Sequence, residues 1–153
     1  MRARTALIAI PLALGLVACG GGKDSGDKAK DSPGGGAAIA LADSDLGSIL
    51  VDGEGRTLYA FTKDKDGASN CDADCVAVWP ALTSSTKAAA GNGVKASMIH
   101  EARKSGGAVH LTYGDWPLYY YVGDAAPGDV NGQGLDGEWF VVGADGKLVR
   151  TGA

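Results

Sequence analysis

The stretch LYAFTKD at residues 58–64 returns at residues 118–124 as LYYYVGD. In an extended chain, residues two apart share a face, so Tyr59 and Phe61 point one way and Leu58 and Ala60 the other. Both faces are apolar, which predicts a strand central in its sheet. Asp64 falls where that strand ends, and its carboxylate is placed to accept backbone N–H groups of the following loop. Tyr119, Tyr121 and Asp124 repeat the arrangement. Two readings stand open. Either these are core strands each closed by an Asx-type turn, or the tyrosine hydroxyls and the two aspartates converge on a ligand or partner.

The echo extends beyond the motif. Shifting the sequence by sixty residues without a gap aligns Ile39 with Ile99, Gly47 with Gly107, Leu58 with Leu118, Tyr59 with Tyr119, Phe61 with Tyr121, Asp64 with Asp124 and Trp79 with Trp139. Trp and Tyr are scarce in this chain, so the alignment reads as an internal duplication, with copies at 39–98 and 99–153. Within the copies the signals are those of hairpins. SILVDGEGRTLYAF turns around Asp52-Gly53 and Gly55, and AVHLTYGDWPLYYY repeats the scheme with Val109, Leu111 and Tyr113 alternating against His110 and Thr112. WFVVGADGKLVR, 139–150, turns at Asp145-Gly146. The 25 glycines exceed what helices tolerate. A short helix after Asp74, capped by that residue, is the one helical signal. The expectation is an all-β body at 37–153, mostly antiparallel hairpins, in which two repeats of about sixty residues share one core.

The N-terminus has a different character. Arg2 and Arg4 precede an apolar run, Thr5 to Val17, that is shorter than the roughly 20 residues of a membrane span. Residues 1–18 therefore read as a signal peptide. Its end, LVAC at 16–19, resembles the lipobox of bacterial lipoproteins, in which the cysteine, here Cys19, is diacylated and becomes the new N-terminus. Lipidation of Cys19 would leave Cys71 and Cys75 as an even pair in an oxidising compartment. Residues 20–36, rich in Gly, Ser, Lys and Asp, bury too little to offset ordering entropy and read as a tether. Two acyl chains make such an anchor stable where one is marginal. From Ala37 onward nine Lys and Arg face fifteen Asp and Glu, so the body carries about −6. That balance argues against a nucleic-acid partner, which would require a basic face.

Lipobox, tether and the motif Tyr-x-aromatic-x-x-Asp at Tyr59, Phe61, Asp64 and again at Tyr119, Tyr121, Asp124 together resemble the predicted bacterial lipoproteins named for that motif, also called secreted-repeat proteins. GRTLYAFTKD, SNCDADCVAVWPAL, YGDWPLYYYVGD and GEWFVV carry the resemblance over most of residues 45–142. It implies an extracytoplasmic, lipid-anchored architecture and supplies no activity.

Three constellations bear on chemistry. CDADC, Cys71 to Cys75, reads either as a disulfide closing a small loop or as a redox or copper site, with His100 or His110 as a third ligand. Asp72 and Asp74 would raise the thiol pKa values, which favours the disulfide. If the hairpin turns at Ser105-Gly106, paired positions sum to 211. His110 then faces Glu101, His100 lies on the opposite face, and His110 is a solvent-facing strand residue. The loops KDKDG at 63–67 and DVNGQGLDGE at 129–138 offer oxygens for calcium, but turn chemistry explains them equally well. Trp116 and Tyr120 stand opposite Arg56 and Ala60 in the alignment, which singles them out as a surface not explained by duplicated packing. In the CDADC loop of the second copy, Asn131 and Leu135 occupy the positions of the two cysteines.

No G-x-S-x-G, H-E-x-x-H or P-loop pattern occurs. The reading is a non-enzymatic lipoprotein without a resident cofactor, held at a cell membrane or outer membrane and facing a small ligand, the cell wall or an envelope protein. The alternative is a redox or copper-handling protein.

Overall fold

The computed structural model describes residues 37–105 and 108–153. The signal segment, Cys19 and the tether lie outside them, as does Gly106 of the 104–107 turn. In the first copy, β1 (Ala38–Ser44) and β2 (Gly47–Asp52) form an antiparallel hairpin pairing Ile39 with Asp52 and Leu41 with Leu50. In the second, β6 (Ile99–Ser105) and β7 (Ala108–Tyr113) do the same, pairing Ile99 with Tyr113. Each hairpin hands the chain to its motif strand in the same way. Leu58 N–H donates to Leu50 O at 3.0 Å, and Leu118 N–H to Leu111 O at 3.0 Å. The architecture is all-β, with two repeats.

The repeats are joined by exchange. β3 (Tyr59–Phe61), the first motif strand, pairs with β9 (Trp139–Val141) of the second copy, Phe61 opposite Trp139. Reciprocally, Tyr120 N–H of the second motif strand donates to Pro80 O of the first copy, and Tyr119 bridges Ala81. The two motif strands also meet each other. Tyr59 and Tyr119 exchange both backbone hydrogen bonds at 2.9 Å, so a pseudo-twofold axis passes between them. The outer strands follow the same symmetry: β4 (Thr83–Ser84) pairs β7, while Leu50 N–H donates to Val142 O. β8 (Trp116–Pro117) closes back on β7, and β5 (Ala89–Ala90) adds a short parallel pairing to β1.

The central position of the motif strands has the consequence that their alternation predicts. Leu58, Ala60 and Leu118 pack into one core with Leu50, Leu82, Leu111 and Val142. Tyr59, Phe61 and Tyr119 enter the other with Trp79, Trp139, Ile49 and Val141. Two apolar faces thus serve two clusters.

Three local expectations are corrected. The β6–β7 pairs sum to 212 at His100–Thr112 and to 213 at Ser105–Ala108, because the register shifts between Glu101 and Lys104. Leu111 therefore faces Glu101, and His110 pairs with Thr83 of β4 on its other side. The helix α1 (Ala73–Val78) begins inside the cysteine loop, and its N-cap is Asp72, whose carboxylate accepts from Cys75 N–H at 2.9 Å. Finally, the sixty-residue offset is not gapless. β1 maps to β6 at sixty, but β2 maps to β7 at sixty-one, since Leu50 and Leu111 hold the same hydrogen-bonding role.

Candidate functional site

The four polar groups of the repeated motif find each other across the two copies. Tyr59 Oη donates to Asp124 Oδ2 at 2.8 Å, and Tyr119 Oη to Asp64 Oδ2 at 2.7 Å. Each aspartate also closes its own loop, as its position at the strand end predicts. Asn70 N–H donates to Asp64 Oδ1 at 2.6 Å, and Asn131 N–H to Asp124 Oδ1 at 2.9 Å. Asn131 is thus the counterpart of Asn70, not of Cys71. Burial holds both carboxyls above their ordinary range, against the pull of these donors. Burial likewise raises both tyrosine pKa values, with the aspartates adding to the effect. Tyr59, Tyr119 and Asp64 are shut away from solvent, so hydroxyls and carboxylates cross-brace the repeats.

Phe61 and Tyr121 end a column of four rings taken alternately from the two copies. Phe61 stacks on Trp139 at 4.4 Å, Trp139 on Trp79 at 3.8 Å and Trp79 on Tyr121 at 4.5 Å. The Cys71–Cys75 disulfide lies beside this column, with both residues packed against its cluster. The bond closes the loop that leads into α1.

His110 is not solvent-facing. Its ring meets the edge of Tyr119 at 4.9 Å, and its Nε2–H donates to Leu118 O at 2.8 Å. It stands where Ile49 stands in the first copy, and burial lowers its pKa. His100 is exposed on β6. Among the described residues no three His, Cys, Asp or Glu side chains gather as a metal would require, and the two cysteines are spent in their disulfide.

Trp116 and Tyr120 are both half-buried against the first core. Tyr120 lines a groove of about 420 Å³ between the copies, together with Tyr121 and Asp124. One wall is the Glu54–Thr57 turn, and the other is the loop from Val122 to Pro127. The walls are tied together by Thr57 Oγ1 donating to Asp129 O at 2.6 Å and Gly128 N–H to Gly55 O at 3.3 Å. Asp52 anchors the turn from beneath. It is buried and accepts from Glu54 N–H, Arg56 N–H, Arg56 Nε and Tyr120 Oη, all within 2.9 Å. Arg56 lies over the Tyr120 ring at 4.3 Å. Sequence reasoning took Asp52 for a turn residue alone and passed over Arg56. The available signal was that Arg56 and Ala60 alternate with Trp116 and Tyr120 between the copies.

The sequence profile of a family described as a secreted repeat of unknown function matches residues 40–83 and 102–143. The matches cover more than half of the chain, one in each copy, and the chain belongs to that family of extracytoplasmic β repeats. Neither the curated proteins nor the solved structures provide a match. Among the described residues no helix is long and apolar enough to cross a membrane.

Proposed function

We propose that the protein is a non-enzymatic binding module of the cell envelope, held at the extracytoplasmic face by lipid on Cys19, which takes its ligand in the groove between the repeats. The observation that carries this reading is the asymmetry of an otherwise duplicated body. The Tyr–Asp pairs and stacked rings are matched between the copies and brace the packing, with Tyr121 and Asp124 also reaching the groove. The groove draws on Arg56 and Tyr120, whose counterparts in the other copy are Trp116 and Ala60. Duplication alone conserves packing, so a feature built where the copies diverge is where a specific function belongs. A volume of about 420 Å³ falls in the range of small-molecule sites. The basic start, apolar run and small residue before Cys19 support the anchor.

Incorporation of an alkyne-tagged fatty acid into the wild-type protein, and its loss with release from membranes in Cys19→Ser, is the expected result for the anchor. Label on the Cys19→Ser variant would remove it. Reproducible turnover that disappears in Asp64→Asn or Asp124→Asn with the fold intact would overturn the non-enzymatic reading.

A further inference from the structure

We propose that the groove takes a small organic cation, an amine or quaternary ammonium group carried on an apolar or aromatic body. This deepens the reading of the groove as the binding site and rests on it. Apart from Arg56, the charged side chains lining the groove are Glu54 and Asp124. Arg56 is a poor receptor for an anion because its charge is already met. Its guanidinium lies 2.8 Å from Asp52 and 3.3 Å from Glu54. Nor are the loop amides of Ala125 and Ala126 open to an anion, since Asp129 Oδ2 accepts from them at 2.9 and 3.0 Å. Glu54, Asp124 and the buried Asp52 beneath the turn outnumber the one guanidinium, and the local field favours a cation.

The rest of the lining supplies the apolar half of the ligand's complement. Val122 is 61% exposed, and Pro80, Tyr121 and Pro127 continue its apolar surface along the groove. The arrangement also demonstrates its own chemistry. Arg56 already rests on the face of Tyr120, the geometry in which an aromatic quadrupole attracts a cation. With half of the Arg56 side chain exposed, a ligand cation can settle beside it on Tyr121 or displace it from Tyr120.

Three probes with one body and different heads test this: phenethylammonium, phenethyl alcohol and 3-phenylpropionate. Each is titrated calorimetrically into the full chain in a neutral detergent, at low and moderate salt. The expected result is saturable binding of the ammonium about tenfold tighter than the alcohol, weakening as salt rises, with the carboxylate weakest. Glu54→Gln, at an exposed position, should weaken the ammonium severalfold and leave the alcohol unchanged. Ala126→Trp, which fills the groove, should abolish binding without altering the circular dichroism spectrum. If the alcohol or carboxylate binds as tightly as the ammonium and Ala126→Trp abolishes it, the cation class is overturned and the groove survives. If no probe saturates, or Ala126→Trp changes nothing, both the cation inference and the groove reading fall.

Discussion

At the scale of single residues, the tyrosines and aspartates that make the motif recognisable act by satisfying one another. Asp64 is buried, so removing its Tyr119 donor leaves part of a carboxylate without a partner in a poorly solvated place. Tyr119→Phe should lower unfolding free energy by about 1–3 kcal/mol, measured by urea denaturation. Tyr59→Phe should cost a similar amount, because Tyr59 Oη also accepts Gly132 N–H at 3.1 Å. His110 adds a pH dependence whose sign follows from its burial. Its folded pKa lies below the ordinary value, so the unfolded chain takes up the proton first. The contribution is complete above about pH 6.5 and is lost as pH falls below that, by at most about 1.4 kcal/mol per unit. The raised carboxyls run the other way: Asp64 and Asp124 contribute most when protonated, near pH 4 and below, and lose that contribution as pH rises. Lowering the pH from 7 to 5.5 should be more destabilising, by denaturation midpoint, in the wild type than in His110→Ile, which carries the residue found in the first copy. The burial of His110 was hidden because alternation with Val109, Leu111 and Tyr113 puts it on the other face of β7, and only the fold packs that face against Tyr119.

At the scale of elements, the two motif loops solve one packing problem differently. The first uses the disulfide and α1 to hold its loop over the ring column. The second brings a bare backbone against the rings: a Cβ on Gly132 would sit 2.8 Å from Trp79 and 2.9 Å from Tyr59. Gly132→Ala should therefore reduce the denaturation midpoint. Cys71→Ser with Cys75→Ser should cost about 2 kcal/mol, the closure entropy of so short a loop, while leaving the native spectrum and the groove unchanged. Loss of the fold with loss of the disulfide would show that the staple does more than shorten the unfolded chain. The hairpins, the Asp64 and Asp124 loop closures and the existence of a helix near the cysteines were legible from alternation, glycine and capping residues. The helix start was missed because Asp72 and Asp74 are both competent caps, and only the Cys75 N–H chooses between them.

At the scale of the whole molecule, the repeats are interdependent. β3 hydrogen-bonds to β9, the second motif strand hydrogen-bonds to Pro80 and Leu82, and the ring column alternates between copies at every step. An isolated half would expose Trp79 or Trp139 and the edges of its central strand. The segment 37–98 expressed alone should give a disordered amide spectrum, and mixing it with 99–153 should restore dispersed peaks. A folded isolated half would contradict the exchange. The same interlocking places the groove, since one wall comes from each copy. Alternation of apolar residues, scarce aromatics at a common spacing and terminal aspartates sufficed to reveal two β repeats, their central strands and their family. Those signals are local, recording which face a side chain must bury. Which strand lies alongside, which tyrosine reaches which aspartate and where the copies part to leave a groove all emerged only on folding. Pairing partners are chosen by long-range packing, and a period of two is satisfied equally by a neighbour in the same repeat or in the other.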